Sequence, residues 1–264
     1  MALSTVLRGF RHVLGNAKSQ SASPKLPPIY NDETAATTLH LFRLLESVHF
    51  SGIPFIWLSS LVHQLAASRA LPLETVTMHP ALTGTASGSV GEMAALATIT
   101  AAKNPNQVLE FGTHEGCSTW HLWANSPPTA RITTLDLPSH IKVKGSTDIS
   151  AQGVLHRPFL PKDERVTLVE IDSRDWQPCS DDPVDLCFID GGHSYECVRN
   201  DTEKAMQLMA SDGVIVWHDA SWTDDGYAVN AYLKELRHDG QNIQLVRVGP
   251  YDYCALAVLL LGGT

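Results

Sequence analysis

Val108-Leu-Glu-Phe-Gly-Thr-His-Glu-Gly-Cys-Ser-Thr119 runs from a short apolar segment through two glycines into a predicted helix beginning near Ser118. A strand that ends in a glycine turn and opens a helix is where an α/β sheet holds a ligand. Glycine lets the backbone approach closely, and the helix N-terminus offers unpaired N–H groups with partial positive charge. A dinucleotide fold places Gly-x-Gly-x-x-Gly at this turn. Here the pattern is Glu110-x-Gly112-x-x-x-Gly116, with His114 where a middle glycine could stand, which tells against an NAD(P)-dependent oxidoreductase.

Downstream of this turn, apolar runs at 132–135, 166–171, 185–189 and 214–217 read as buried strands, and helical patterns fall at 118–125, 195–210 and 226–237. Such alternation implies a parallel sheet covered by helices on both faces. The last two runs, 243–248 and 254–261, are joined by only Gly249-Pro-Tyr-Asp-Tyr253, too short for a helical crossover, so they form an antiparallel hairpin. Upstream, a helix is expected over 92–103, the small-residue stretch 83–91 suits a loop over a ligand, and loop 138–161 carries Lys142, Lys144, His156 and Arg157.

Ligands of open α/β sheets bind beyond the carboxyl ends of the strands. Five expected strands end in or just before an acid: Glu110, Asp136, Asp172, Asp190 and Asp219. Folding alone explains one such residue as a helix cap. It does not explain five, because a buried carboxylate costs several kcal/mol unless it is paired or ligated.

Three motifs, Glu110–Ser118, Phe188-Ile-Asp-Gly-Gly-His-Ser-Tyr-Glu196 and Gly213-Val-Ile-Val-Trp-His-Asp219, together resemble class I S-adenosylmethionine-dependent methyltransferases over residues 83–261. The resemblance is to the catechol O-methyltransferase-like branch and to bacterial tailoring O-methyltransferases of sugars and natural products. It implies a Rossmann-like sheet, mostly parallel with a C-terminal antiparallel hairpin, behind an N-terminal helical cap. It further implies that Gly112, Thr113, His114 and Gly116 pass under the methionine part of the cofactor, beside Glu110, while Ser118 reaches its carboxylate. Asp136, with Leu137 beside it, would accept both ribose hydroxyls, and Asp172 and Ser173 would meet the adenine edge. Asp190 and Asp219 match the metal-ligand aspartates for Mg2+ or another divalent cation, Asp190 also bordering the cofactor, and His193 stands where that family carries a lysine base.

The chain departs from that pattern at Ala220, where the family has its third ligand, an Asn. His218 is either the substitute ligand or a buried histidine behind the site. The mechanism is then either metal-assisted, with a cation lowering the acceptor hydroxyl's pKa, or metal-free with His193 as base near Asp219. The acceptor implied is a hydroxyl on a small molecule or glycan. A related protein that does not methylate, and a non-catalytic binding module on the same fold, are the other classes in play. Trp57, Trp217, Trp222 and Tyr227 are candidates for pocket lining or for core, Trp217 for core.

The chain's 264 residues suffice for one large domain or for a domain with an appendage, and its 44% hydrophobic and 18% charged residues are those of a globular protein. A net charge of −9 argues against nucleic-acid binding. Residues 1–30 hold Arg8, Arg11, Lys18 and Lys25 and no acid. Residues 3–14 form an amphipathic pattern that fits a helix docked on its own domain or on a second copy, a membrane-surface helix, or an organellar presequence. Residues 15–30 read as a linker, 31–82 as the helical cap, with helices over 33–49 and from Pro54 to about Ser68, and 83–264 as the catalytic domain. Five cysteines without a C-x-x-C pair point to reduced thiols and a cytoplasmic protein, and no 18-residue apolar run suggests a spanning helix.

Overall fold

The computed structural model describes residues 53–66, 75–79, 88–139, 141, 153, 156–178, 182–220, 228–248 and 254–262, all within one compact unit, Phe42–Thr264. The expected helices at 3–14 and 33–49, the linker, residues 83–87, most of loop 138–161, Trp222 and Tyr227 lie outside the described residues.

In chain order the elements are β1 (Phe55–Trp57), α1 (Leu58–Ala66), α2 (Val90–Lys103), β2 (Gln107–Phe111), α3 (Cys117–Ala124), β3 (Arg131–Asp136), β4 (Val166–Glu170), β5 (Val184–Ile189), α4 (Tyr195–Leu208), β6 (Met209–Trp217), α5 (Val229–His238), β7 (Gln244–Arg247) and β8 (Ala257–Leu260). The eight strands form one sheet in the order β1-β7-β8-β6-β5-β2-β3-β4. Every pairing is parallel except those of β8, which runs antiparallel between β6 and β7. β1 lies at one edge; from β2, inside the sheet, the chain winds outward through β3 to β4 at the other edge, returns to β5 and β6, and closes with the hairpin of β7 and β8.

One expectation is corrected. Phe55–Trp57 does not open a helix at Pro54; it is a strand in parallel register with β7, Phe55 opposite Leu245. Three aromatic or β-branched residues gain more from a sheet edge that buries Ile56 than from a first helical turn. Pro54 serves as acceptor only, its carbonyl taking the Leu245 N–H at 2.8 Å. β6 also begins earlier than the expected 214, at Met209.

Alternation along the central strands sends side chains into two cores. Val108, Leu186, Phe188, Val214 and Val216 face α1, α2 and α3, while Leu109, Phe111, Cys187, Ile189, Ile215 and Trp217 face α4 and α5. Trp217 is core, with no exposed surface and its indole N–H donated to Thr202 at 2.9 Å. α2 starts in a capping box, Ser89 and Glu92 each accepting the other's backbone N–H. Cys117, Cys187, Cys197 and Cys254 are free thiols. Among the described residues no helix is long and apolar enough to cross a membrane.

Candidate functional site

The carboxyl ends of β3, β4, β5 and β6 carry Asp136, Asp172, Asp190 and Asp219 on either side of the turn that follows β2. Strand register shows that Glu110 is not on this rim. It lies opposite Thr134 and Phe188, two rungs below Asp136 and Asp190. Glu110 is fully buried, and the hydroxyls of Thr119 and Thr134 donate to its Oε2 at 2.5 and 2.6 Å. Thr113 stands 2.5 Å from Thr134 and completes the chain of hydroxyls. Burial pushes the Glu110 carboxyl up to about 7, against the pull of hydroxyls from Ser118, Thr119 and Thr134. Of the five acids singled out in the sequence, four line the rim and the fifth braces the glycine turn from beneath.

Local backbone geometry explains the glycines. Gly112 has φ 96°, and a Cβ there would sit 2.1 Å from the Asp190 carbonyl oxygen. Gly116 has φ 88°, with Leu160 N 2.5 Å from its Cβ position. His114 and Asp219 take positive φ as well, 47° and 56°, without being glycine. Backbone strain of this kind persists where surrounding structure enforces it, and it concentrates at functional sites.

Asp136 is fixed from three sides. Its Oδ2 accepts the His114 N–H at 2.9 Å and faces Arg157 Nη1 at 2.9 Å, and its Oδ1 accepts the Leu137 N–H at 2.9 Å. Burial raises its pKa, and Arg157 opposes that shift. Arg157 also donates to the His114 carbonyl at 2.9 Å and pairs with Glu170 at 3.3 Å. The sequence marked Arg157 only as part of a basic loop. Asp172 is gripped by Arg174, whose backbone N–H and Nε both reach Oδ1, at 3.0 and 2.9 Å.

At the other end, His193 Nε2 lies 2.8 Å from Asp219 Oδ2. His218 sits behind them with Nδ1 3.2 Å from Asp190 and 3.3 Å from Asp219, and Nε2 3.4 Å from Glu92. These separations are long for hydrogen bonds, so the imidazole is held chiefly by charge. Burial alone would lower the His218 pKa, but Asp190, Asp219 and Glu92 raise it well above its ordinary value. Glu92 falls to about 2 despite burial, held down by His218 and by N–H donors including Ala255 at 3.0 Å. Burial likewise opposes ionisation of Asp219, and His193 with His218 overcomes it. Sequence reading missed Glu92; Ser89-x-x-Glu92 is legible as a capping box, but nothing in the sequence shows that the same acid also meets His218 and the Ala255 N–H.

One atom each from Asp190, His193 and Asp219 lies within 4.8 Å of the others. Two carboxylates and an imidazole are a donor set that fits a divalent cation. His218 has both ring nitrogens turned toward acids, Nδ1 toward Asp190 and Asp219 and Nε2 toward Glu92.

A mostly parallel sheet in this order, with one antiparallel strand near its end, is a Rossmann-like methyltransferase fold. Residues 109–220 match the family described as a methyltransferase domain. No curated protein matches the chain. Among solved structures, it is similar to the O-methyltransferase TomG from Streptomyces achromogenes, involved in tomaymycin synthesis and solved with SAM. That likeness has 17% identity over 82% of this chain and 96% of the other, TM-score 0.46. It is also similar to an O-methyltransferase from Bacillus cereus in complex with SAH (19%, 77% and 90%, TM-score 0.45) and to the O-methyltransferase NovP (12%, 77% and 97%, TM-score 0.48).

Proposed function

We propose that the protein transfers a methyl group from S-adenosylmethionine to a hydroxyl of a small molecule or glycan. The observation that carries this reading is the row of Asp136, Asp172, Asp190 and Asp219 flanking the Gly112 turn, with His193 2.8 Å from the last of them. Asp136 receives the ribose diol, a carboxylate being able to take two O–H donors. Arg157 favours its charged form until the diol arrives. Asp172 and Ser173 face the base, and the methionine end lies along the Gly112–Gly116 turn toward the N-terminus of α3. The acceptor hydroxyl enters beside Asp219.

In the reaction the hydroxyl oxygen attacks the methyl carbon in line as the carbon–sulfur bond breaks, leaving S-adenosylhomocysteine as a neutral thioether. The hydroxyl proton passes to His193. Asp219, 2.8 Å from Nε2, orients that imidazole and stabilises the imidazolium that forms. His193→Ala is expected to lower kcat by about 10²–10⁴-fold, the usual range for a general base, while leaving S-adenosylhomocysteine affinity within about twofold on the scale of a lost neutral contact. Unchanged turnover in a chromatographic assay of product would remove His193 from this role.

A second reading rests on the Asp190, His193 and Asp219 cluster. A divalent cation held there would act as a Lewis acid on the acceptor oxygen. Its carboxylate ligands would keep their places and His193 would be a ligand instead of a base. The metal-free scheme expects full turnover in excess EDTA. Loss of turnover that Mg2+ or Mn2+ restores would assign the cation.

A further inference from the structure

Asp201 lies within α4 with 1% of its surface exposed. A carboxylate buried so deeply needs a reason, since desolvation costs several kcal/mol unless partners compensate. Burial pushes its carboxyl up to about 6, and the Ser173 and Asn200 side chains beside it pull the other way, favouring the carboxylate. One of its partners lies in the candidate cofactor site and the other is its neighbour on α4. The Ser173 hydroxyl donates to the carboxylate, and Asn200 Nδ2 donates to Oδ1 at 2.9 Å. Oδ2 lies 3.0 Å from the point a Cβ on Gly191 would occupy. Asp201 therefore fills the space between the loop after β4 and the turn after β5.

The same loop is fastened a second time. Lys204 Nζ donates to the carbonyls of Ser173, Arg174 and Trp176 at 2.5, 2.9 and 2.7 Å. Asp172 is held by Arg174 as described above. A serine hydroxyl has one hydrogen and two lone pairs. With that hydrogen committed to Asp201, Ser173 can present only lone pairs to a ligand, and the neighbouring Asp172 is an acceptor too.

We propose that Asp201 is a positioning residue that makes Ser173 an acceptor-only reader of the cofactor base, so that the site selects a purine bearing an exocyclic amine over one bearing a carbonyl at that position. This rests on the cofactor reading above, with residues 172–173 at the base edge. An amine donates to Ser173, whereas a carbonyl would face it with lone pair against lone pair. In Asp201→Asn the amide oxygen stays with Asn200 and the amide nitrogen faces Ser173, so the serine hydrogen turns outward and the polarity reverses.

The test measures binding of S-adenosylhomocysteine and of its deaminated analogue, S-inosylhomocysteine, by calorimetry on the full chain. The wild type is expected to prefer the adenosine compound by at least about tenfold, the scale of one buried mismatched polar pair. Asp201→Asn and Ser173→Ala should each erode that preference several-fold with little change in melting temperature. Ser173 is only half-buried, so Ser173→Ala decides the matter if Asp201→Asn fails to fold. A preference kept intact in the folded variants overturns the role of Asp201 and leaves the methyltransferase reading standing. Equal binding of both compounds by the wild type does the same. Binding of neither compound by the wild type overturns the cofactor reading together with this one.

Discussion

Gly112→Ala is expected to lose S-adenosylhomocysteine binding and to melt on the order of 10 °C below the wild type, as a loss of roughly 3–4 kcal/mol would produce in a domain of this size. Two costs combine. The left-handed φ of 96° disfavours any side chain by about 1–2 kcal/mol. The added Cβ would also stand 2.1 Å from the carbonyl oxygen of Asp190 and 2.6 Å from its carbonyl carbon. That neighbour is backbone at the end of a central strand, so relief of the clash moves Asp190 itself. Gly240→Ala supplies the control. It has nearly the same φ, 95°, with nothing within 4 Å of its Cβ position, and should cost only about 1 kcal/mol of backbone strain. Equal losses in the two variants, read by calorimetric melting, would show that the Asp190 contact does not matter.

Glu110→Gln should flatten the dependence of stability on pH. The Glu110 carboxyl has moved from 4.5 to about 7 through burial. Below pH 4.5 it is protonated in the folded and unfolded chains alike, and its contribution is complete. Between 4.5 and 7 the unfolded chain releases the proton and the folded chain keeps it, so stability falls as pH rises, and above 7 the loss is complete. That carboxyl accounts for about 3 kcal/mol across the window. The variant has no proton to lose there. Its stability relative to the wild type should therefore improve by that amount between pH 4.5 and pH 8, whatever the offset at either end. Parallel urea-unfolding curves for the two proteins across that range would place the carboxyl elsewhere.

The glycine turn, the alternation of strands and helices, the terminal hairpin and four of the rim acids were legible in the sequence because each depends on local pattern. Five consecutive residues joining two apolar runs can only make a hairpin, and an acid after a buried strand can only emerge at its end. Glu110 shows where such reasoning stops. It stands one residue short of its strand end while Asp136 closes its own, yet the parallel register sets it two rungs deeper. Register is a property of pairing between strands, which no single segment encodes. Phe55–Trp57 failed for the same reason: its partner, β7, lies nearly two hundred residues away. Asp201 left a signal that was passed over. It falls three residues after Val198 and four before Ala205, within the buried stripe of α4, where an acid has no place unless something needs it. The Arg157–Asp136 contact had no such signal, because a long loop reveals its charges but not where they land.

Calorimetric titration of S-adenosylhomocysteine into the wild type and into Asp136→Ala tests most directly whether the rim holds this nucleoside. One molecule bound per wild-type chain, and affinity lost in the variant without loss of melting temperature, is the expected outcome. No heat of binding from the wild type, or a variant that binds as tightly as its parent, would mean that the carboxylate row at 136, 172, 190 and 219 serves some other ligand.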